Sequence, residues 1–366
     1  MNILRTSFGK TFLSLNVYRN GPVRNIFTQE TLGITAYLKD REMDHGRSQT
    51  KFLEMLQDET KKQDWVNRVP LDMFVDNLRL FVHLVEPDQI DLLKKALVIY
   101  RTKGDAIEKS YIFGSIVMRF LSYFKMPEVA TQFYFDEQIG PLFDDLASYT
   151  IFLDMLYDQE KYEELIEIHE ISSENRMKPT KLGSTFVTIN AILFAACFQL
   201  NTPGYRQYAF NLYERIKNEN MIKVQLRKGV IQVAEMKRRD KQPEECLSIL
   251  SEVESADASA RFVKILALLD LNRTEEPMQL LLVFVRIKDF GKVFPVPKEL
   301  LELVKSKMIA QKKELADMEV IFRKLTKQQR TTDRSLNDAI CHPYPKKLVL
   351  FRKPYRYTKM YKLHHV

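Results

Sequence analysis

The residues of this chain best suited to ligate a metal or act as a nucleophile are six histidines (His45, His83, His169, His342, His364 and His365) and three cysteines (Cys197, Cys246 and Cys341). Neither set has the spacing such chemistry needs. There is no Cys-x-x-Cys or His-Glu-x-x-His, and an odd number of scattered thiols cannot build a disulfide framework. Gly-rich phosphate loops and a Gly-x-Ser-x-Gly nucleophile turn are also missing from the sequence. The acid pairs Asp144-Asp145, Glu163-Glu164 and Glu244-Glu245 sit at turns or helix starts, where a negative charge meets the positive end of the helix dipole. His83 and His169 fall inside apolar helical stripes and read as packed side chains. The expectation is a non-enzyme with no cofactor, no metal and no small-molecule substrate.

Binding chemistry is better represented. Residues 344–362, YPKKLVLFRKPYRYTKMYK, interleave seven cations with Tyr344, Phe351, Tyr355, Tyr357 and Tyr361. Lys346, Lys347, Arg352, Lys353, Arg356 and Lys359 can meet phosphates while rings such as Tyr355 and Tyr357 stack on unpaired bases, each stack contributing about 1–3 kcal/mol. The same composition also suits docking onto a ribosome or acidic lipid, or packing back on the protein, and those readings stay open beside single-stranded RNA. Pro343, Pro345 and Pro354 prevent a long helix, so the expectation is a flexible basic end.

The formal charge of +8 is concentrated at the two ends. Residues 1–29 hold Arg5, Lys10, Arg19 and Arg24 and no acid, and residues 339–366 hold seven cations and no acid. The stretch between, 30–338, is left with 45 basic residues against 48 acidic ones. The first segment also spaces Leu4, Phe8, Phe12 and Leu15 at helical intervals. That pattern is typical of a mitochondrial presequence, with removal expected between Arg19 and Glu30. The most apolar stretch, Phe186 to Phe198, is too short for a bilayer and reads as a buried helix, so no membrane span is expected.

The elements that position these groups are helices. Phe74, Leu78, Phe81, Val82 and Val85 form one face, and Tyr149, Phe152, Leu153 and Leu156 another, followed by Tyr162, Leu165, Ile166 and His169. No run alternates with period two. Similar positions in successive second helices are Ala96, Ala130, Leu165, Ala209 and Cys246, at spacings of 34, 35, 44 and 37. A period near 35 with two helices per unit is the mark of a helical repeat in which neighbours bury one another.

Residues 146–180, LASYTIFLDMLYDQEKYEELIEIHEISSENRMKPT, resemble the pentatricopeptide repeat pattern without a gap. Ser148-Tyr149 match its opening, Leu153-Asp154 its Ile-Asp step, Lys161-Tyr162-Glu163-Glu164 its second-helix entry and Lys178-Pro179 its close. Residues 111–145 and 205–223 fit more loosely, and GKVFPVPKELLELVKSKM (291–308) is similar to the closing part of small mitochondrial members. A tetratricopeptide array is disfavoured because its Trp-Leu-Gly-Tyr signature is absent. The resemblance covers about 50–310 and implies an all-α, right-handed α-solenoid of about six antiparallel hairpins. The expected organisation is a presequence (1–29), a lead segment with a short helix (30–70), the repeat array (71–287), a helical cap (288–330) and a basic-aromatic tail (331–366).

In the family, a polar residue early in the first helix and the last residue of the repeat read one base edge of single-stranded RNA. The resemblance carries those roles to Thr150 and Thr180 in one unit and to Ser115 and Asp145 in the preceding one. The competing reading is that Ser115 and Thr150 are ordinary helix residues and Asp145 is a cap. The implied function is a non-catalytic factor of the mitochondrial matrix that assists processing or stability of transcripts and so respiratory-chain function. Its partners would be single-stranded mitochondrial RNA, the mitoribosome or RNA-processing proteins. A protein–protein scaffold is the alternative, because the near-neutral array supplies no general positive field. A run comprising Arg227, Lys228, Lys237, Arg238 and Arg239 offers a local basic surface, or simply a solvated face.

Overall fold

A computed structural model of the chain describes residues 26–46, 50–57, 69–103, 112–175, 185–218, 226–253, 257–287 and 294–341. The described residues are almost entirely helical. Two lead helices, α1 (Ile34–Asp44) and α2 (Thr50–Gln57), come first, where one had been expected. Paired helices follow: α3 (Leu71–Leu84) with α4 (Ile90–Lys103), α5 (Phe113–Tyr123) with α6 (Pro127–Phe135), and α7 (Leu146–Asp158) with α8 (Tyr162–Asn175). Next are α9 (Thr185–Leu200) with α10 (Pro203–Asn218), α11 (Arg227–Arg239) with α12 (Pro243–Ser251), and α13 (Ala258–Asp270) with α14 (Glu275–Arg286). The cap is α15 (Lys298–Ala310) with α16 (Ala316–Lys327), and a short α17 (Leu336–Ile340) closes the described chain. Two-residue strands, β1 (Val296–Pro297) and β2 (Thr331–Thr332), pair in parallel.

The turn inside most pairs has one recurring construction. Lys125, Glu160, Asn201, Lys241, Asn272 and Lys312 each adopt a left-handed conformation, with φ from 50° to 61°, just after a first helix. At Glu160 the amide donates to Tyr157 O and that of Lys161 to Leu156 O, both at 3.0 Å, and Lys241-Gln242 and Asn272-Arg273 repeat the arrangement. These bonds satisfy the last carbonyls of the first helix and stop it. A proline then opens the second helix at Pro127, Pro203 and Pro243, where its missing N–H is harmless.

Burial follows the helical stripes. All five anchor positions, Ala96, Ala130, Leu165, Ala209 and Cys246, have no exposed surface, and the Val187–Phe198 stretch of α9 is buried throughout. First helices contact first helices in succession: α3 with α5, α5 with α7, α7 with α9, α9 with α11, α11 with α13 and α13 with α15. Two apolar clusters result, one from Ile26 to Ala267 with Ile340 and Cys341, and one from Ala258 to Ala339. They share α13, whose Val263 and Ala267 face one cluster while Phe262 and Leu269 face the other.

The ends of the fold differ from the expected boundaries. Ile26 and Phe27, inside the segment expected to be removed, are buried in the main core. At the other end the expected tail begins at 331, yet Leu336 and Ala339 belong to the cap cluster, and Ile340 and Cys341 to the main one. The cause is ordinary burial: α17 is an apolar turn that folds back across the first helices. No helix among the described residues is long and apolar enough to cross a membrane.

Candidate functional site

Polar side chains are buried selectively on the row of first helices. Among the described residues, every buried polar or charged side chain lies on such a helix except Thr31, His169, Ser172 and Thr274. On α5 they are Ser115 and Arg119, on α7 Ser148, Thr150 and Asp154, and on α9 Thr188 and Asn190. On α11 they are Lys228, Gln232 and Glu235, which fall on one side of the helix at intervals of four and three, and on α13 Ser259. A buried polar group must be hydrogen-bonded or carry a penalty, so the partners of this row indicate its use.

Many of those partners come from the two ends of the chain itself. Arg119 Nε donates to the carbonyl of Leu32 at 2.9 Å, and its Nη1 reaches Ser115 Oγ at 3.5 Å. Gly33 has a φ of 76°, and a Cβ there would stand 2.9 Å from Arg119 Nε, so the lead segment approaches α5 closely. The backbone of Phe27 hydrogen-bonds the carboxyl of Asp154 on α7. Burial, reinforced by Asp158, pushes that carboxyl well above the usual carboxylate range and so favours its protonated form.

The C-terminal segment covers the row farther along. Gln199 Nε2 on α9 donates to Tyr157 OH at 3.2 Å and to Cys341 Sγ at 3.4 Å. Gln232 Nε2 on α11 donates to the same sulfur at 3.6 Å. Ser259 Oγ donates to Ala339 O at 2.9 Å, Arg239 Nη2 to Asn337 Oδ1 at 2.7 Å, and Leu336 N to Glu299 Oε2 at 3.0 Å. Burial lowers the pKa of Lys228 and pushes the Cys341 thiol up to about 12. Cys341 is therefore a thiol, a weak acceptor with no negative charge.

The expected base readers fall in different surroundings. Asp145 caps α7, accepting the backbone N–H of Ser148 at 3.0 Å and also its hydroxyl. Gly114 explains how closely the units meet there: a methyl on it would fall on Leu142 O and within 2.7 Å of Ser148 Oγ. Ser115 is buried beside Arg119, and Thr150 has no exposed surface and no partner for its hydroxyl. The structure brings these three to adjoining ends of α5 and α7 without presenting Thr150 to solvent. Thr180, Lys346, Lys347, Arg352, Lys353, Tyr355, Arg356, Tyr357 and Lys359 lie outside the described residues.

The basic run on α11 is not a free patch. Lys237 pairs with Glu245 at 2.9 Å and lies over the Phe210 ring. Arg238 bridges Glu235 at 2.7 Å and Asp270 at 2.6 Å, and Arg239 pairs with Glu235 at 3.0 Å. These cations tie α11 to its neighbours. Glu235, three and four positions earlier on the same helix, is the signal in the sequence that could have found these pairs, whereas Asp270 is remote. Cys341 and Gln232 were missed as a pair for the same reason of distance along the chain. Among the described residues, no group of three or more His, Cys, Asp or Glu side chains could hold a metal.

No protein-family model matches the chain. It is similar to curated proteins that share one description, pentatricopeptide repeat-containing protein 2, mitochondrial. The Xenopus laevis protein is 22% identical over 169 residues, covering 45% of this chain and 41% of its own. The human protein is 22% identical over 268 residues (71% and 66%), and the mouse protein 22% identical over 274 residues (73% and 69%). The match thus spans less than two thirds of the frog and human proteins. The description these proteins share names the family whose repeat residues 146–180 resemble.

Proposed function

We propose that this chain, a helical protein resembling pentatricopeptide repeat-containing protein 2, is a non-catalytic mitochondrial RNA-binding factor of the matrix. It would assist maturation, processing or stability of mitochondrial transcripts and so sustain the respiratory chain. Residues 71–287 would form a right-handed solenoid of about six hairpins, with the first helices along its inner surface. The observation that carries the reading is the gathering of buried polar side chains on those helices. An apolar ligand would not call for such a row, whereas base edges and phosphates would.

The basic-aromatic tail supplies the electrostatic part that the near-neutral array lacks. Base-edge roles for Ser115, Asp145, Thr150 and Thr180 stay within the proposal, with Ser115 and Thr150 reaching a ligand only once neighbouring chain moves aside. Removal of a presequence would fall before Ile26, because Ile26 and Phe27 are core residues.

The test is ultraviolet cross-linking and sequencing of bound RNA in mitochondria, comparing the intact protein with one ending at Cys341. Cross-links to mitochondrial transcripts that fall on truncation are expected. An intact protein that cross-links to none, in cells whose transcript ends and levels do not change on its deletion, would refute the reading.

One observation favours a protein–protein scaffold instead. The cap keeps Leu303 and Val320 each 43% exposed, and a groove of about 550 Å³ lies between α15 and α16, lined by Met318 and Phe322 with Lys305, Glu319 and Arg323. Co-sedimentation with a ribosomal subunit that survives nuclease treatment and fails with Phe322→Glu is the outcome that reading expects.

A further inference from the structure

The C-terminal segment satisfies the face it covers poorly. Two carboxamides, Gln199 and Gln232, donate to one thiol sulfur at 3.4 and 3.6 Å, although a thiol is among the weakest acceptors a protein offers. The Oε1 atom of Gln232 is buried with no hydrogen-bond partner. A buried acceptor left unmet carries a desolvation penalty that a matched ligand would relieve. A glutamine presents a donor and an acceptor side by side, the pattern that pairs with a base edge.

The covering element is also small. Helix α17 has five residues, and its polar anchorage is Ser259 to Ala339, Arg239 to Asn337 and Glu299 to the amide of Leu336. In sequence it leads at once into the segment with seven cations and no acid. The charge of that adjoining sequence favours an anionic strand as the ligand.

We propose that residues 336–341 are a releasable cover on the first-helix face, occupying in the free protein the place that a single-stranded RNA takes when bound. The cover is thus an internal competitor. The affinity of the repeats for RNA is scaled by the fraction of time the cover is unseated, and RNA that binds the face displaces it. This rests on the RNA-binding reading above and adds to it how access to that site is controlled.

The experiment uses the full-length protein and a fluorescein-labelled single-stranded RNA of mixed sequence. Amide hydrogen exchange is followed with and without the RNA, and affinity is measured for wild type, Ile340→Asp and Ile340→Asp with Gln232→Ala. Faster exchange across 336–341 on adding RNA is expected in wild type. Ile340→Asp should bind about tenfold more tightly, a gain the added Gln232→Ala removes.

RNA binding to wild type with exchange at 336–341 unchanged or slowed would overturn the cover while leaving RNA binding intact, as would a folded Ile340→Asp of unchanged affinity. If wild type and both variants bind no RNA, the functional reading falls and the cover with it. The wild-type exchange measurement decides the matter even where Ile340→Asp does not fold.

Discussion

The hydroxyl of Ser259 donates to the carbonyl of Ala339 at 2.9 Å and joins residues 80 apart in sequence. Both atoms are buried, and the bond sits at the junction of the two apolar clusters, between α13 and α17. Ser259→Ala leaves the Ala339 carbonyl without its partner, a loss of about 1–2 kcal/mol for a buried acceptor. Because α17 is short, the loss should appear as local opening. Amide exchange across 336–341 is expected to quicken about tenfold while α9 and α11 keep their protection. Uniformly faster exchange across all helices would show instead that the bond supports the whole fold.

The length of the folded chain supplies a second prediction. Ending the protein at Asp338 removes Ala339, Ile340 and Cys341, all buried, and uncovers Gln199 and Gln232. Burial of an isoleucine alone is worth about 1.5–3 kcal/mol, so this truncation should melt at a measurably lower temperature than a protein ending at Cys341. Equal thermal stability of the two proteins would mean that α17 contributes nothing to the fold.

Gly114 is held in place by backbone, which makes its replacement expensive. A methyl there meets Leu142 O, a main-chain atom that cannot rotate away, and crowds the Ser148–Asp145 cap of α7. Alanine would gain up to about 1 kcal/mol in helix propensity. Overpacking against fixed atoms costs about 1–3 kcal/mol and should prevail. Denaturant unfolding of Gly114→Ala is expected to show net destabilisation, and a stabilised variant would show that α5 and α7 can move apart freely.

The hairpin turns make the opposite prediction. Lys241 holds φ 61° as an exposed non-glycine residue between α11 and α12. Glycine removes the left-handed strain, partly offset by its greater freedom when unfolded, for a net gain of about 0.5–1 kcal/mol. Chemical denaturation of Lys241→Gly should show a raised midpoint with an unchanged slope. A lowered midpoint would place the Lys241 side chain in a stabilising contact.

Much of this architecture was legible in local sequence. The stripes of α3, α7 and α8 and the small residues Ala96, Ala130 and Ala209 are periodic, and a helix pair needs little beyond its own residues to form. The turns Lys125-Met126-Pro127, Asn201-Thr202-Pro203 and Lys241-Gln242-Pro243 were a sharper ruler that went unused. What could not be read is what depends on remote pairs. The burial of Ile26 and Phe27, the return of Cys341 to Gln199 and Gln232, and the pairing of Arg238 with Asp270 all join segments that no local pattern relates. The candidate base readers were placed by family register alone, and register does not report what packs on top of a helix.

His169 provides the last prediction, through its place against Tyr149. The ring Nδ1 and the Tyr149 hydroxyl are 3.1 Å apart, and the two rings are stacked. Burial, with a smaller contribution from Arg215, lowers the His169 pKa to about 4. The neutral ring shares a hydrogen bond with the phenol, and an unfolded histidine titrating near 6.5 binds its proton more readily than the folded one. Stability from this group is therefore complete above pH 6.5 and is lost as pH falls toward 4. Asp154 acts in the opposite sense, because its raised pKa makes the fold hold a proton that the unfolded chain releases. Comparing wild type with His169→Phe cancels the Asp154 contribution, since both proteins carry it. Between pH 7 and 4 wild type should lose up to about 3 kcal/mol relative to the variant. Parallel stability curves over that range would mean that the His169 ring is hydrated and titrates as in the unfolded chain.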